Sequence, residues 1–189
     1  MEPIRSRPRS LALLTALTLT VLALVAPTAA GASTTAAPSC STHWGSQAKG
    51  GAPTPAPSAT VAGVRAGRHT CYDRLVIDVA GPRTFGAWTV RYVPVVKADP
   101  SDRVVPLRGG AFLQITLGAG GTLTTPGRPL VGVTGFSTFR QVKGAGAFEG
   151  VSTIGLGVRA RLPFRVLTLP GTTGSARGTR VAVDVAHHW

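Results

Sequence analysis

Arg74-Leu-Val-Ile-Asp-Val-Ala80 and Arg180-Val-Ala-Val-Asp-Val-Ala186 decide the fold class. In the first stretch Leu75, Ile77 and Val79 share one side of an extended chain, while Arg74, Val76 and Asp78 share the other. The second repeats the arrangement with Val181, Val183 and Val185 pointing inward. A period of two built on β-branched residues is the pattern of a strand with one face in a core. Working outward, Val61–His69, Trp88–Val96, Ala111–Leu117, Phe136–Val142, Ile154–Leu162 and Phe164–Leu169 read as further strands. Breaks fall at Gly81-Pro82, Arg108-Gly109-Gly110, Gly118–Gly121, Pro126-Gly127, Gly144–Gly146 and Pro170–Gly174. No window sustains a 3.6-residue period. About eight short strands with no helices between them predict an all-β antiparallel sandwich, with a β-barrel as the alternative closure.

Composition agrees with this class. The 189 residues carry 24 Gly and 15 Pro, which favours short strands and turns over long helices. With 43% apolar and 14% charged residues the chain is not a charge-rich disordered one. The balance of 20 Lys+Arg against 7 Asp+Glu gives a formal net charge of +13. All but three of the basic residues (Lys49, Lys97 and Lys143) are Arg, a bias that a GC-rich coding sequence explains. The scarcity of acids is not explained that way, and it points to a negatively charged partner.

The N-terminus reads as an address. Arg5, Arg7 and Arg9 precede an uncharged run, Leu11–Ala26, that ends at Pro27. Small residues at Thr28-Ala29-Ala30 and Ala30-Gly31-Ala32 then allow cleavage after Ala30 or Ala32. Residues 1–30 are therefore expected to be a signal peptide. The apolar run is shorter than the roughly 20 residues that span a bilayer, so no stable membrane anchor is expected. The protein should be secreted, extracellular and able to associate with the cell wall.

Residues 31–58 are rich in Ala, Thr, Pro and Gly and read as a tether ahead of a domain over residues 59–189. Within the tether, Cys40-Ser-Thr-His-Trp44 holds a cysteine and a tryptophan that a linker does not need. Two cysteines in an exported chain are expected to pair, and a Cys40–Cys71 bridge would dock the Trp44 segment onto the domain.

In Ile154–Arg165 the alternation places Ile154, Leu156, Val158, Ala160, Leu162 and Phe164 on one side, with Arg159, Arg161 and Arg165 on the other. Read as strand, this is a row of guanidinium groups along a solvent-facing edge, suited to an anionic polymer. The plainer reading is a solvated face whose charges deter edge-to-edge pairing.

Signatures of chemistry are sparse. Adjacent His187 and His188 face opposite sides of a strand and cannot chelate one ion together, so neither a metal nor a cofactor is expected. Gly135-Phe-Ser-Thr-Phe lacks the second glycine of a nucleophile elbow. Asp78 and Asp184 are the candidates for a glycosidase acid pair by elimination only, and a strand aspartate paired with an arginine is the plainer reading. Gly118-Ala-Gly-Gly-Thr lacks the helix and lysine of a phosphate loop. Nucleic acid fits the charge but neither the export signal nor an aromatic content of 6%.

Taken in order, Val64-Arg-Ala-Gly-Arg-His69, Tyr72-Asp-Arg-Leu-Val-Ile-Asp78, Trp88-Thr-Val-Arg-Tyr-Val93, Ala147-Phe-Glu-Gly150, Pro163-Phe-Arg-Val166 and Arg180-Val-Ala-Val-Asp-Val185 resemble the AMIN-like domain of exported proteins from high-GC Gram-positive bacteria. The resemblance covers about Thr60–His187. It implies a β-sandwich related to one carried by cell-wall amidases and envelope secretion proteins, where that fold localises its carrier by binding envelope components, peptidoglycan in particular. An envelope-associated, non-catalytic module that binds an anionic or glycan wall component is therefore the expectation. No amidase, secretin or other catalytic domain is expected after Trp189. The competing classes are a hydrolase of envelope polymers, marked by an acid in a cleft, and a secreted inhibitor that binds another protein, marked by a rigid loop with apolar anchors.

Overall fold

The computed structural model describes residues 40, 42–51, 58–81, 87–170 and 178–189. The expected signal peptide and much of the tether lie outside the described residues. Among the described residues nine strands run β1 Lys49–Gly51, β2 Thr60–Arg68, β3 Tyr72–Ala80, β4 Trp88–Val93, β5 Ala111–Leu117, β6 Phe139–Phe148, β7 Val151–Val158, β8 Phe164–Pro170 and β9 Gly178–Ala186. They form a five-stranded sheet in the order β1-β4-β5-β7-β6 and a four-stranded sheet in the order β2-β3-β9-β8, with every strand pair antiparallel. The fold is the expected sandwich, and neither sheet closes into a barrel.

The core is made by the residues whose alternation announced it. Leu75, Ile77, Val79, Val181, Val183 and Val185 from one sheet meet Leu113, Ile115, Leu117, Ile154, Leu156 and Val158 from the other in one buried cluster. Each such aliphatic side chain contributes about 1.5–3 kcal/mol by leaving water. Asp73 is a polar residue on the same side of β3. It is fully buried, and its Oδ2 accepts hydrogen bonds from the Thr138 and Phe139 amides at 2.6 and 3.1 Å, while its Oδ1 lies 3.3 Å from His187 Nε2. A buried carboxylate needs such partners, and these fix where β6 begins.

Three readings change. The strand expected over Ile154–Leu162 stops at Val158, and the next begins at Phe164 in the other sheet. Residues 159–163 carry the chain across the open side of the sandwich, where Pro163 has no amide to donate to a ladder. Val158, Leu162 and Phe164 remain buried through the crossing, so the alternation persists although the strand does not. Gly144–Gly146, read as a break, lies inside β6 at a register shift, with Gly146 at φ +115. This is a bulge, which glycine tolerates because it lacks a Cβ. Finally, β1 lies in the stretch read as tether and pairs with β4.

Candidate functional site

The disulfide forms as expected. Cys40 is bonded to Cys71, with Cα atoms 5.2 Å apart, and this brings the Trp44 segment against the four-stranded sheet. Gly45 O accepts from the Phe164 amide at 2.9 Å, and the Trp44 ring meets Tyr72 edge-on at 5.6 Å. What lies beneath explains why a tryptophan is needed. Asp184, fully buried on the outer side of β9, accepts from Arg74 Nε and Nη2 at 2.6 and 2.8 Å and from Arg165 Nε at 2.8 Å. The Arg165 guanidinium lies 4.3 Å from the centre of the Trp44 ring. Trp44 and Tyr72 thus cover a carboxylate held by two arginines and keep water from competing for it. The hydrogen bond to Asp184 is the main reason the Arg74 guanidinium pKa is raised above the ordinary arginine value, against the opposing effect of burial.

The three arginines expected to form a row meet different partners. Arg159 Nη2 donates to His187 O. Arg161 lies in the crossing segment, donates to Ser46 Oγ and Ser46 O at 3.2 Å, and sits 4.9 Å from the Tyr92 ring. Arg165 belongs to β8 and holds Asp184. Tyr92 anchors the same crossing, with its hydroxyl donating to Leu162 O at 2.9 Å and accepting from Leu162 N at 3.0 Å. Alternation had put these three arginines on the side away from the core, and they are there. It does not reveal a change of sheet, so the three do not lie along one strand.

The two aspartates named by elimination are likewise engaged. Asp78 accepts from Arg65 Nε and Nη2 at 3.1 and 2.9 Å, and Asp184 is the carboxylate just described. Each therefore pairs with an arginine, although with one from another strand rather than the arginine four residues earlier.

A broad concavity lies on the other sheet. The outer face of the five-stranded sheet is half covered by the loop between β4 and β5, whose Val96, Ala98 and Val105 pack on Ala145, Phe112 and Leu107. Glycines on β7 permit that layer: a Cβ at Gly157 would lie 2.0 Å from Arg108 O, and one at Gly155 would lie 2.7 Å from Leu107 Cδ1. The uncovered half is a trough of about 740 Å³. Its lining includes Thr89, Arg91, Gln114, Thr116 and Thr153 from the strands, with Asp99, Phe148 and Glu149 at the rim. Thr153 Oγ1 donates to Asp99 Oδ2 at 2.6 Å. Phe148 is half exposed and Glu149 has φ +49; with Gly150 at φ +77 they make the two-residue turn between β6 and β7. No cluster of His, Cys, Asp and Glu able to hold a metal occurs among the described residues.

The family model for the AMIN-like domain matches residues 59–187, more than half of the chain. The chain belongs to the AMIN-like family. No curated protein and no solved structure matches it. Membership associates this AMIN-like domain with the cell envelope. No helix among its described residues is long and apolar enough to cross a membrane.

Sequence reasoning missed the trough because its residues come from five strands and the segments between them, and none of them forms a motif. The one local signal was Phe148-Glu149-Gly150, an aromatic residue beside a tight turn.

Proposed function

We propose that this AMIN-like domain is a secreted, non-catalytic binding module that holds a saccharide strand of the cell envelope in the trough of the five-stranded sheet. The observation that carries the reading is the trough's lining: Thr89, Gln114 and Thr116 offer uncharged hydrogen-bonding groups beside the half-exposed ring of Phe148. Sugars present hydroxyls at their edges and C–H groups on their faces, and both find partners here. A volume of about 740 Å³ accommodates a few sugar units and opens along the sheet rather than closing around one small molecule.

The test is titration of the secreted protein with soluble fragments of purified wall glycan. Phe148→Ala should weaken binding about 5- to 10-fold, the amount an aromatic contact of about 1–1.5 kcal/mol supplies. Unchanged affinity in both Phe148→Ala and Gln114→Ala would exclude the trough. A second reading, hydrolysis of the same strand, is favoured by the two carboxylates, Asp99 and Glu149, that share this lining. Release of new reducing ends by the parent and its loss in Glu149→Gln would replace the binding reading with that one. The expected result is binding with no release.

A further inference from the structure

From the outer face of the four-stranded sheet, on the side of the molecule away from the trough, we infer a second ligand site: a groove that takes the phosphate groups of a soluble phosphodiester-linked polymer. It rests on observations independent of the saccharide reading. Arg65 from β2, Arg74 from β3 and Arg180 from β9 line a groove of about 290 Å³ with His69 at one end, over a floor that includes Val76 and Ala182. No carboxylate belongs to the lining.

Two of the guanidiniums are held in place in advance. Arg65 and Arg74 each turn their Nε and Nη2 edge to an aspartate, Asp78 and Asp184, which fixes the plane of each group. That fork occupies one edge and leaves Nη1 to donate elsewhere. Arg180 differs: it lies directly opposite Asp78 in the register, yet Asp78 is occupied by Arg65, and Arg180 Nε donates to Pro170 O at 3.0 Å. Among the described residues no carboxylate pairs with its terminal nitrogens. Across this face four guanidiniums, counting Arg165, meet two carboxylates.

The geometry favours phosphate over carboxylate. A planar carboxylate accepts within one plane, as Asp78 does from the Arg65 fork, whereas a tetrahedral phosphate presents oxygens in several directions and can accept from guanidiniums on three strands at once. It also favours a soluble polymer over a lipid surface. The exposed large apolar residues of the described chain are Val95, Val104, Phe148, Val151 and Trp189, and none of them belongs to β2, β3, β8 or β9. A membrane-bound face needs apolar insertion beside its charge for firm attachment, and this face offers none.

The experiment measures binding of the secreted full chain to poly(glycerol phosphate), with poly-glutamate and phosphatidylglycerol vesicles as the other arms. Poly(glycerol phosphate) should bind more tightly than poly-glutamate of equal charge, and the affinity should fall as salt rises. Arg180→Gln should weaken poly(glycerol phosphate) binding about tenfold, the loss of one charge-assisted contact. Gln114→Ala, in the trough, should leave it unchanged, so failure of the saccharide reading and failure of this one are distinguishable. If Arg180→Gln does not fold, Arg65→Gln carries the same expectation, since its ion pair with Asp78 is half exposed. Equal affinity for poly-glutamate, or parent-like binding by the folded variant, overturns the phosphate site. Vesicle binding that exceeds polymer binding overturns it in favour of a lipid surface.

Discussion

Replacing Asp184 with Asn should unfold the domain at markedly milder conditions than the parent requires. The carboxylate is fully buried and accepts three charge-assisted hydrogen bonds, two from Arg74 and one from Arg165. Removing one partner of a buried ion pair costs about 3–5 kcal/mol when the remaining charge is stranded. Here the Arg74 and Arg165 side chains keep 23% and 36% of their exposure, so both guanidiniums recover water once released. Discounting for that solvent contact leaves about 2–3 kcal/mol. For a domain of this size that corresponds to a fall in Tm of about 8–12 °C, or about 1.5 M in the urea midpoint. Arg74→Met should cost clearly less in the Asp184→Asn background than in the parent, because its carboxylate partner is already gone. The raised pKa of Arg74 gives the sign of any pH effect: stability from a raised group is complete below the unfolded arginine value and lost only as pH rises through the folded one. The contribution of Arg74 should therefore be constant between about pH 6 and about pH 9. A loss below about 0.5 kcal/mol, the usual size for a surface substitution, or strict additivity with Arg74→Met, would refute the account of a covered, coupled ion cluster.

Tyr92→Phe should cost about 1–3 kcal/mol at neutral pH by leaving the Leu162 amide and carbonyl without their partner. Burial raises the Tyr92 pKa above 10.0, so its contribution is complete below pH 10.0 and lost as pH rises through the folded value. Urea titrations at increasing pH should accordingly show the gap between parent and variant narrowing above 10.0. Reducing Cys40–Cys71, or replacing both cysteines with Ser, should cost about 3–4 kcal/mol for a loop of this length. The fluorescence emission of Trp44 should shift to the red as its segment leaves Tyr72 and Arg165. An unshifted spectrum would mean that the ring contacts hold the segment without the bridge.

The fold was legible because period-two alternation is a local property that the core imposes directly. Leu75, Ile77 and Val79 had to face inward once their neighbours were Arg74 and Asp78, whatever strand came next. Strand ends were less legible, because tertiary contacts set them. Phe139–Phe148 continues past Gly144 because its glycines allow a bulge where the Thr124 and Asp99 backbones approach closely. Val95 and Val96 follow β4 without a break in apolar character, but the chain turns there to lay Val96 and Val105 over Ala145. The sequence did carry a trace of that second layer in Gly155 and Gly157, two glycines on the outward side of an otherwise apolar strand.

The candidate sites were hardly legible, and the reason is physical. Alternation reports the side to which a residue points, while function on a sheet depends on which strands lie next to one another. Arg74 and Asp184 are separated by 110 positions and Arg65 and Asp78 by 13, yet they are the pairs that order the four-stranded face. Net charge misleads in the same way. Arg74, Arg161 and Arg165 count toward the basic excess, but their guanidiniums lie against Asp184, Ser46, Trp44 and Tyr92. A ligand meets only the charge that the protein's own groups leave unused. By that measure the proposed phosphate site gives Arg180, whose neighbour across the sheet is already occupied by Arg65, more weight than Arg161 or Arg165. A Lys scan of these positions separates the two kinds. At Arg165 the change should lower stability, because a lysine has neither the fork for Asp184 nor the flat face for Trp44. At Arg180 it should leave stability near the parent's and alter only the affinity for an anion.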